Sequence, residues 1–330
     1  MYKKQIYYRL IALWVVSEAF LGGIIHGLKL PVSGLLVGSA AVICICLIAW
    51  YYPVRGAILR ATIIVAIFKM MLSPQSPMPA YIAVFFQGLV AEVIFINKGS
   101  YRFNCLLFGI LALVESGVQR LLLMTLVFGM DIWKAINIFI NGITGEENIT
   151  NYSYYLAIFY VLMHFIAGIT IGWFAGKIPN EEKAFFFENK YLIPWKEEEV
   201  NLHSAPKKIK RTKWVLIIVY LILAYLFLQS ILFPTKAILP SNMIFKLIFR
   251  STLIIFTWML IINPLLKRLL YRWLEKKKST TGEEIKEITR LIPSMQKLIV
   301  KSWSLSVNRN FLKRVVLFAK IVVFNSLRYD

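Results

Sequence analysis

The chain carries repeated runs of about 20 apolar residues, separated by short stretches of Pro, Gly and charged residues, and this repetition limits its fold more than any other feature. At a rise of 1.5 Å per residue, such a run crosses about 30 Å of hydrocarbon as a helix. A helix also satisfies its own backbone N–H and C=O groups in a solvent that offers them no partner. Over its 330 residues the chain is 58% hydrophobic and only 17% charged, a balance that a soluble domain does not carry on its surface. The runs predict spans near 8–28, 32–52, 56–73, 79–97, 103–128, 153–176, 213–233 and 246–266. The expected fold class is therefore an all-α, polytopic integral membrane protein of about eight transmembrane helices with further amphipathic helices.

The net charge is +21, from 38 Lys and Arg against 17 Asp and Glu, which in a soluble chain would point to nucleic acid. The placement of those charges argues against a nucleic-acid partner. Assigning alternate loops to alternate faces collects Lys3, Lys4, Arg9, Arg55, Arg60, Lys98, Arg102 and the run Lys207, Lys208, Lys210, Arg211, Lys213 on one side. The other side holds little more than Lys29, Lys134 and Lys236. Basic residues stay in the cytoplasm during insertion, so both termini are expected there, in a cell membrane of the bacterial inner-membrane kind. Met1 to Arg9 with the apolar run behind it has the polarity of a signal peptide but no small-residue cleavage site, and reads as a retained first helix. Cys44, Cys46 and Cys105 all fall in spans and read as small packing residues.

Residues 177–212 break the apolar composition with Lys, Glu, Asn and Pro, and predict a cytoplasmic linker between a six-span unit, 1–176, and a two-span unit, 213–330. Within the external loop 129–152, the segment from Ile132 to Ile140 predicts a short interfacial helix. Beyond the last span, Thr280 with Glu283, or Thr281 with Glu284, offers a capping box, followed by an apolar face of Ile285, Ile288, Leu291 and Ile292. A second amphipathic stretch starts at Pro293 and a third carries Phe311 to Val323, with Lys and Arg around both. Such helices either lie in the headgroup layer, held by anionic membrane lipid, or form a docking platform for a cytosolic partner.

Ionisable and amide side chains inside a bilayer each demand a partner, a cavity or a route to the interface. Counting along the spans puts Glu18, Glu115 and His164 near mid-depth, Arg120 and Gln87 in the outer half, His26 at an outer end and Glu92 towards the inner end. Lys69 is expected to snorkel to the outer surface. Glu115 and Gln119 share one helix face, and Ser116 and Arg120 the adjacent strip. These strips predict an outward-opening polar cavity lined by Lys69, Gln87, Gln119 and Arg120, with Glu115 and His164 at its floor. Structural pairs such as Glu115 with Lys69 or Arg120 are the competing expectation. Ala19, Gly23 and Gly27, then Gly34 and Gly38, then Gly168, Gly172 and Gly176, repeat at four-residue spacing and mark close helix packing, or the contact with a separate subunit. Asp occurs only at Asp131 and Asp330, and His26, His164 and His203 sit on separate segments, so neither a metal site nor a bound cofactor is expected. The sequence contains no phosphate loop and no nucleophile elbow, and an enzyme is not expected.

The run from His26-Gly27-Leu28 to Pro31-Val32-Ser33-Gly34, with Lys69 to Ser73-Pro74, Gln87-Gly88-Leu89-Val90-Ala91-Glu92 and Gln119-Arg120-Leu121, resembles the S components of energy-coupling factor transporters. That resemblance implies a six-helix binder of a small vitamin or metal-cofactor nutrient, with its pocket near the outer face. It also implies that Ala19, Gly23 and Gly27 contact a T component. The tail is similar to a shortened T component. By that likeness, the helix from Pro293 to Arg309-Asn310-Phe311 docks cytosolic ATPase subunits through Arg309.

Overall fold

The computed structural model describes residues 2–21, 33–73, 76–96, 99–144, 151–187, 191–193, 263–307 and 310–328, with single positions between 225 and 262. His26, Gly23, Gly27, Arg309 and nearly all of the spans expected at 213–233 and 246–266 lie outside the described residues. Helix α1 (Tyr2–Val16) passes into a π-helical turn (Ser17–Leu21). It is followed by α2 (Ser33–Tyr51), α3 (Ala57–Leu72), α4 (Met78–Ile96), α5 (Tyr101–Phe128), α6 (Asp131–Thr144) and α7 (Tyr152–Phe187). The C-terminal part forms α8 (Asn263–Thr280), α9 (Gly282–Leu305) and α10 (Phe311–Leu327). No strand occurs among the described residues. The stretches Gly34–Tyr51, Met78–Ile96, Tyr101–Phe128 and Tyr152–Glu181 are long and apolar enough to cross a membrane, so the described residues hold 4 candidate membrane-spanning helices in an all-helical architecture. Helix α6 occupies the segment between 129 and 152 that is expected to form a short helix.

The chain forms two compact units, each assembled from separated segments. One comprises residues 1–115, 165–203 and 269–330, and the other 116–164 and 204–268. In the first, α1 is the central element. Its residues Leu10 to Val16 are buried on every side, as expected of a helix apolar around its whole circumference. It packs against α2, α3, α9 and α10. The Tyr7 hydroxyl donates to the Ala57 carbonyl at 2.9 Å, and burial pushes this phenol well above the ordinary tyrosine range, so it remains a donor.

Helices α5 and α7 meet backbone to backbone in this unit. A Cβ added at Gly172 would stand 2.5 Å from the Cys105 carbonyl oxygen, and one at Gly168 2.7 Å from that of Gly109. Gly176 faces Arg102. The four-residue glycine spacing of α7 thus serves a helix contact inside the chain. Gly38 of α2 approaches Leu113 in the same way, and Ala19 is buried within this unit.

The tail differs from the sequence expectation in two respects. The box of Thr281 with Glu284 is not formed: Thr281 precedes α9, but its hydroxyl turns back to the Lys277 carbonyl at 2.8 Å and caps nothing. The two stretches divided at Pro293 are one continuous helix. Proline removes one backbone donor and favours a break, but Ile288, Ile292, Met295, Leu298 and Ser302 continue a single buried face across it, and that burial holds the helix together. The apolar face of α9 therefore packs within the first unit, against α1 and α10. Asn325 of α10 fixes the chain beyond α7: its Nδ2 donates to the Tyr191 carbonyl at 3.0 Å and its Oδ1 accepts the Ile193 N–H at 2.9 Å.

Candidate functional sites in the two units

In the first unit, the π-helical turn presents Glu18 to the last turn of α3, where Lys69 lies. Single π turns widen a helix locally and recur at functional positions. The Lys69 Nζ stands 2.6 Å from the Glu18 Oε2, with the side chains only 3% and 5% exposed. The ammonium also donates to the Ala80 carbonyl at 3.4 Å at the start of α4, and it lies 5.9 Å from the centroid of the Tyr81 ring. Ser17 turns its hydroxyl to the Trp14 carbonyl at 2.8 Å.

Lys69 therefore does not snorkel. Its charge is satisfied inside the protein, and the burial that would be prohibitive for a lone ammonium is tolerable because a carboxylate and a carbonyl meet it there. Its partner is Glu18, a pairing that depth along the spans does not reveal. Among the described residues, Glu115 carries a buried oxygen, Oε2, with no hydrogen-bond partner, and Gln87, 3% exposed, likewise has a buried and unpartnered Oε1.

At the other end of α4, Glu92 serves α3. Its Oε1 accepts the Gly56 N–H at 2.5 Å and its Oε2 the Leu59 N–H at 3.4 Å. These are donors at a helix start that lack an intrahelical acceptor, and a carboxylate there also meets the positive end of the helix dipole. Gly56 holds a φ of 79°, the left-handed region that favours glycine, and this turns the chain so that its N–H reaches Glu92.

The second unit contains Gln119, Arg120 and His164. The Arg120 guanidinium donates to the hydroxyl of Tyr160. The Tyr160 ring lies 4.4 Å, centroid to centroid, from that of His164, whose Nδ1 is 2.9 Å from the Tyr160 carbonyl oxygen. His164 is 1% exposed and tucked against Gly117, where an added Cβ would stand 2.9 Å from its Cγ. Arg120 and His164 are thus brought together through Tyr160, a residue not anticipated from the sequence although it precedes His164 by one helical turn. Helix α6 is held in the same unit by Asn137, whose Oδ1 accepts the Ser153 N–H at 2.7 Å.

The first unit thus buries an acid-base ion pair, and the second carries a chain that runs from an exposed arginine through a half-buried tyrosine to a buried histidine. Among the described residues no group of three or more His, Cys, Asp or Glu is arranged to hold a metal ion. Comparison with protein families, with curated proteins and with solved structures finds no match to this chain.

Proposed function

We propose that the chain is a membrane subunit of a multi-component importer of the energy-coupling factor type. It would capture a small water-soluble nutrient, of the vitamin or metal-cofactor class, from outside and work with cytosolic ATPase subunits, with or without a separate T component. The observation that carries the reading is the buried Glu18–Lys69 pair, set on a π turn. Charge in an apolar helical environment is costly, and a transport pathway is a common reason to keep it. The Gln87 Oε1, one helix away from this pair, adds a buried acceptor with no donor among the described residues. His26, Gln119, Arg120, Glu115 and His164 remain the proposed ligand contacts, and Ala19, Gly23, Gly27 and Arg309 the proposed coupling contacts.

A second reading is favoured by the completeness of the same pair. If Glu18 and Lys69 only fasten α1 to α3, the chain is a non-transport membrane scaffold whose tail binds anionic lipid or a partner protein. Replacing both residues by apolar ones of similar size distinguishes the two. In the importer reading, Glu18→Leu with Lys69→Met restores stability but abolishes capture of nutrient by native membranes; in the scaffold reading no uptake changes. Failure of the wild-type chain to bring down an ATPase pair from those membranes would remove the coupled importer.

A further inference from the structure

A cavity of about 880 Å³ opens in the first unit where the start of α1, the start of α3 and the turn between α8 and α9 meet. Its charged lining is basic in excess: Lys4, Arg60, Lys277 and Lys286, from four different helices, stand against Glu283 and Glu284. Arg60 and Glu284 approach to 3.5 Å, a contact that offsets part of this charge, and with Glu283 also in the lining the balance of the cavity remains basic. Leu59, Ile63 and Tyr8 add an apolar and aromatic patch, and Gly56, Thr281 and Gly282 complete the wall.

We propose that this cavity binds a phosphate ester, with the phosphate among the lysines and Arg60 and the carbon body against Leu59, Ile63 and Tyr8. Three observations converge. The volume lies in the range of small-molecule sites and far exceeds the need of a bare phosphate ion, so the ligand carries a substantial organic part. The lining sets side chains of net positive charge beside an apolar patch, which matches an ester of that kind. The cations belong to chain segments more than two hundred positions apart, so an anion among them offsets repulsion between the N-terminal helices and the tail.

Two sources offer this chemistry. The cavity lies at the end of α1 and α3 that the positive-inside pattern assigns to the cytoplasm. That is where headgroups of anionic phospholipids sit, and basic pockets between helices at this level suit them. A soluble nucleotide offers the same phosphate and an aromatic body. The inference is independent of the importer reading, since it uses none of the proposed nutrient contacts.

The test uses the full chain in phosphatidylcholine nanodiscs, with thermal unfolding followed in three arms: no addition, phosphatidylglycerol mixed into the lipid, or adenosine monophosphate in the buffer. Expected is a rise of roughly 3–5 °C in one of the last two arms, shrinking at high salt and largely lost in Lys4→Gln with Lys286→Gln. Both lysines are solvent-exposed, so their replacement leaves the fold intact; should the double variant fail to fold, Lys286→Gln alone serves. Lys301→Gln with Lys313→Gln removes the same charge from exposed positions outside the cavity and keeps the rise. A shift in the lipid arm assigns the site to a headgroup, and a shift in the nucleotide arm to a soluble ester. No shift in either arm, or an equal shift in the Lys4 and Lys286 variant, overturns the proposal.

Discussion

Consider removal of either partner of the Glu18–Lys69 pair. At a separation of 2.6 Å and an effective dielectric constant of about 20, the Coulomb attraction is about 6 kcal/mol, whereas taking each ion out of water costs several kcal/mol. The two nearly cancel, so the pair as a whole contributes little net stability, while either partner alone is left as an uncompensated buried charge. Lys69→Met and Glu18→Leu should therefore each destabilise the folded chain by about 3–5 kcal/mol, and the double variant should return to within roughly 1 kcal/mol of the wild type or exceed it. At about 2 °C per kcal/mol for a chain of this size, each single variant lowers the unfolding temperature by roughly 6–10 °C. Thermal unfolding of the four proteins in one detergent or nanodisc closes the double-mutant cycle, with a coupling of at least about 5 kcal/mol expected. Additive single effects would show that the two charges do not depend on each other, and the account of why Lys69 stays buried would fail.

Gly172→Leu should destabilise the chain by several kcal/mol and disturb α7 against α5, because its Cβ would stand 2.5 Å from the Cys105 carbonyl oxygen; Gly142→Ala, where nothing lies within 4 Å, should be neutral or stabilising by up to about 1 kcal/mol, both read by thermal unfolding. Glu92→Ala removes the acceptor of the Gly56 and Leu59 N–H groups and should cost about 1–3 kcal/mol; hydrogen exchange at the first turn of α3 should accelerate in it, and an unchanged rate there would refute the capping role.

The helices from α2 to α5 were legible because each is a long apolar run bounded by Pro, Gly or charge: the expected 32–52, 56–73, 79–97 and 103–128 differ from the observed bounds by one or two residues. The glycines of α7 were legible for a similar reason, since a four-residue spacing has one geometric meaning on a helix. Failures came where tertiary packing decided. Depth counting assumed straight helices crossing a slab, so it sent Lys69 outward; it had no means of knowing that a π turn aims Glu18 at it. The local chemistry of Pro293 favours a helix boundary, and the burial of Ile292, Met295 and Leu298 overrides that preference. Tyr160 passed unnoticed because a tyrosine in an apolar helix carries no signal of its own until Arg120 and His164 are found around it.

The pairing of Lys69 also changes what a ligand must offer under the importer reading. An ammonium 2.6 Å from a carboxylate presents little net field to a third group, so it is a poor lure for an anion. A carboxylate ligand would have to displace Glu18 and leave that side chain buried without its partner, whereas a neutral amide or hydroxyl group can accept from Lys69 and donate to Glu18 with the pair intact. A neutral polar ligand group is therefore expected at this point, in place of the negatively charged group that a lone lysine would suggest. Glu18→Gln reverses the preference by leaving Lys69 with an uncompensated charge. For any nutrient the chain captures, the ratio of affinities for its carboxylate form over its carboxamide form should rise at least about tenfold in Glu18→Gln, because one ion pair in a dry site is worth more than 1.4 kcal/mol over a neutral contact. Equal weakening of both forms would show that the ligand does not meet this pair, and Lys69 would then belong to the packing of α1 against α3 alone.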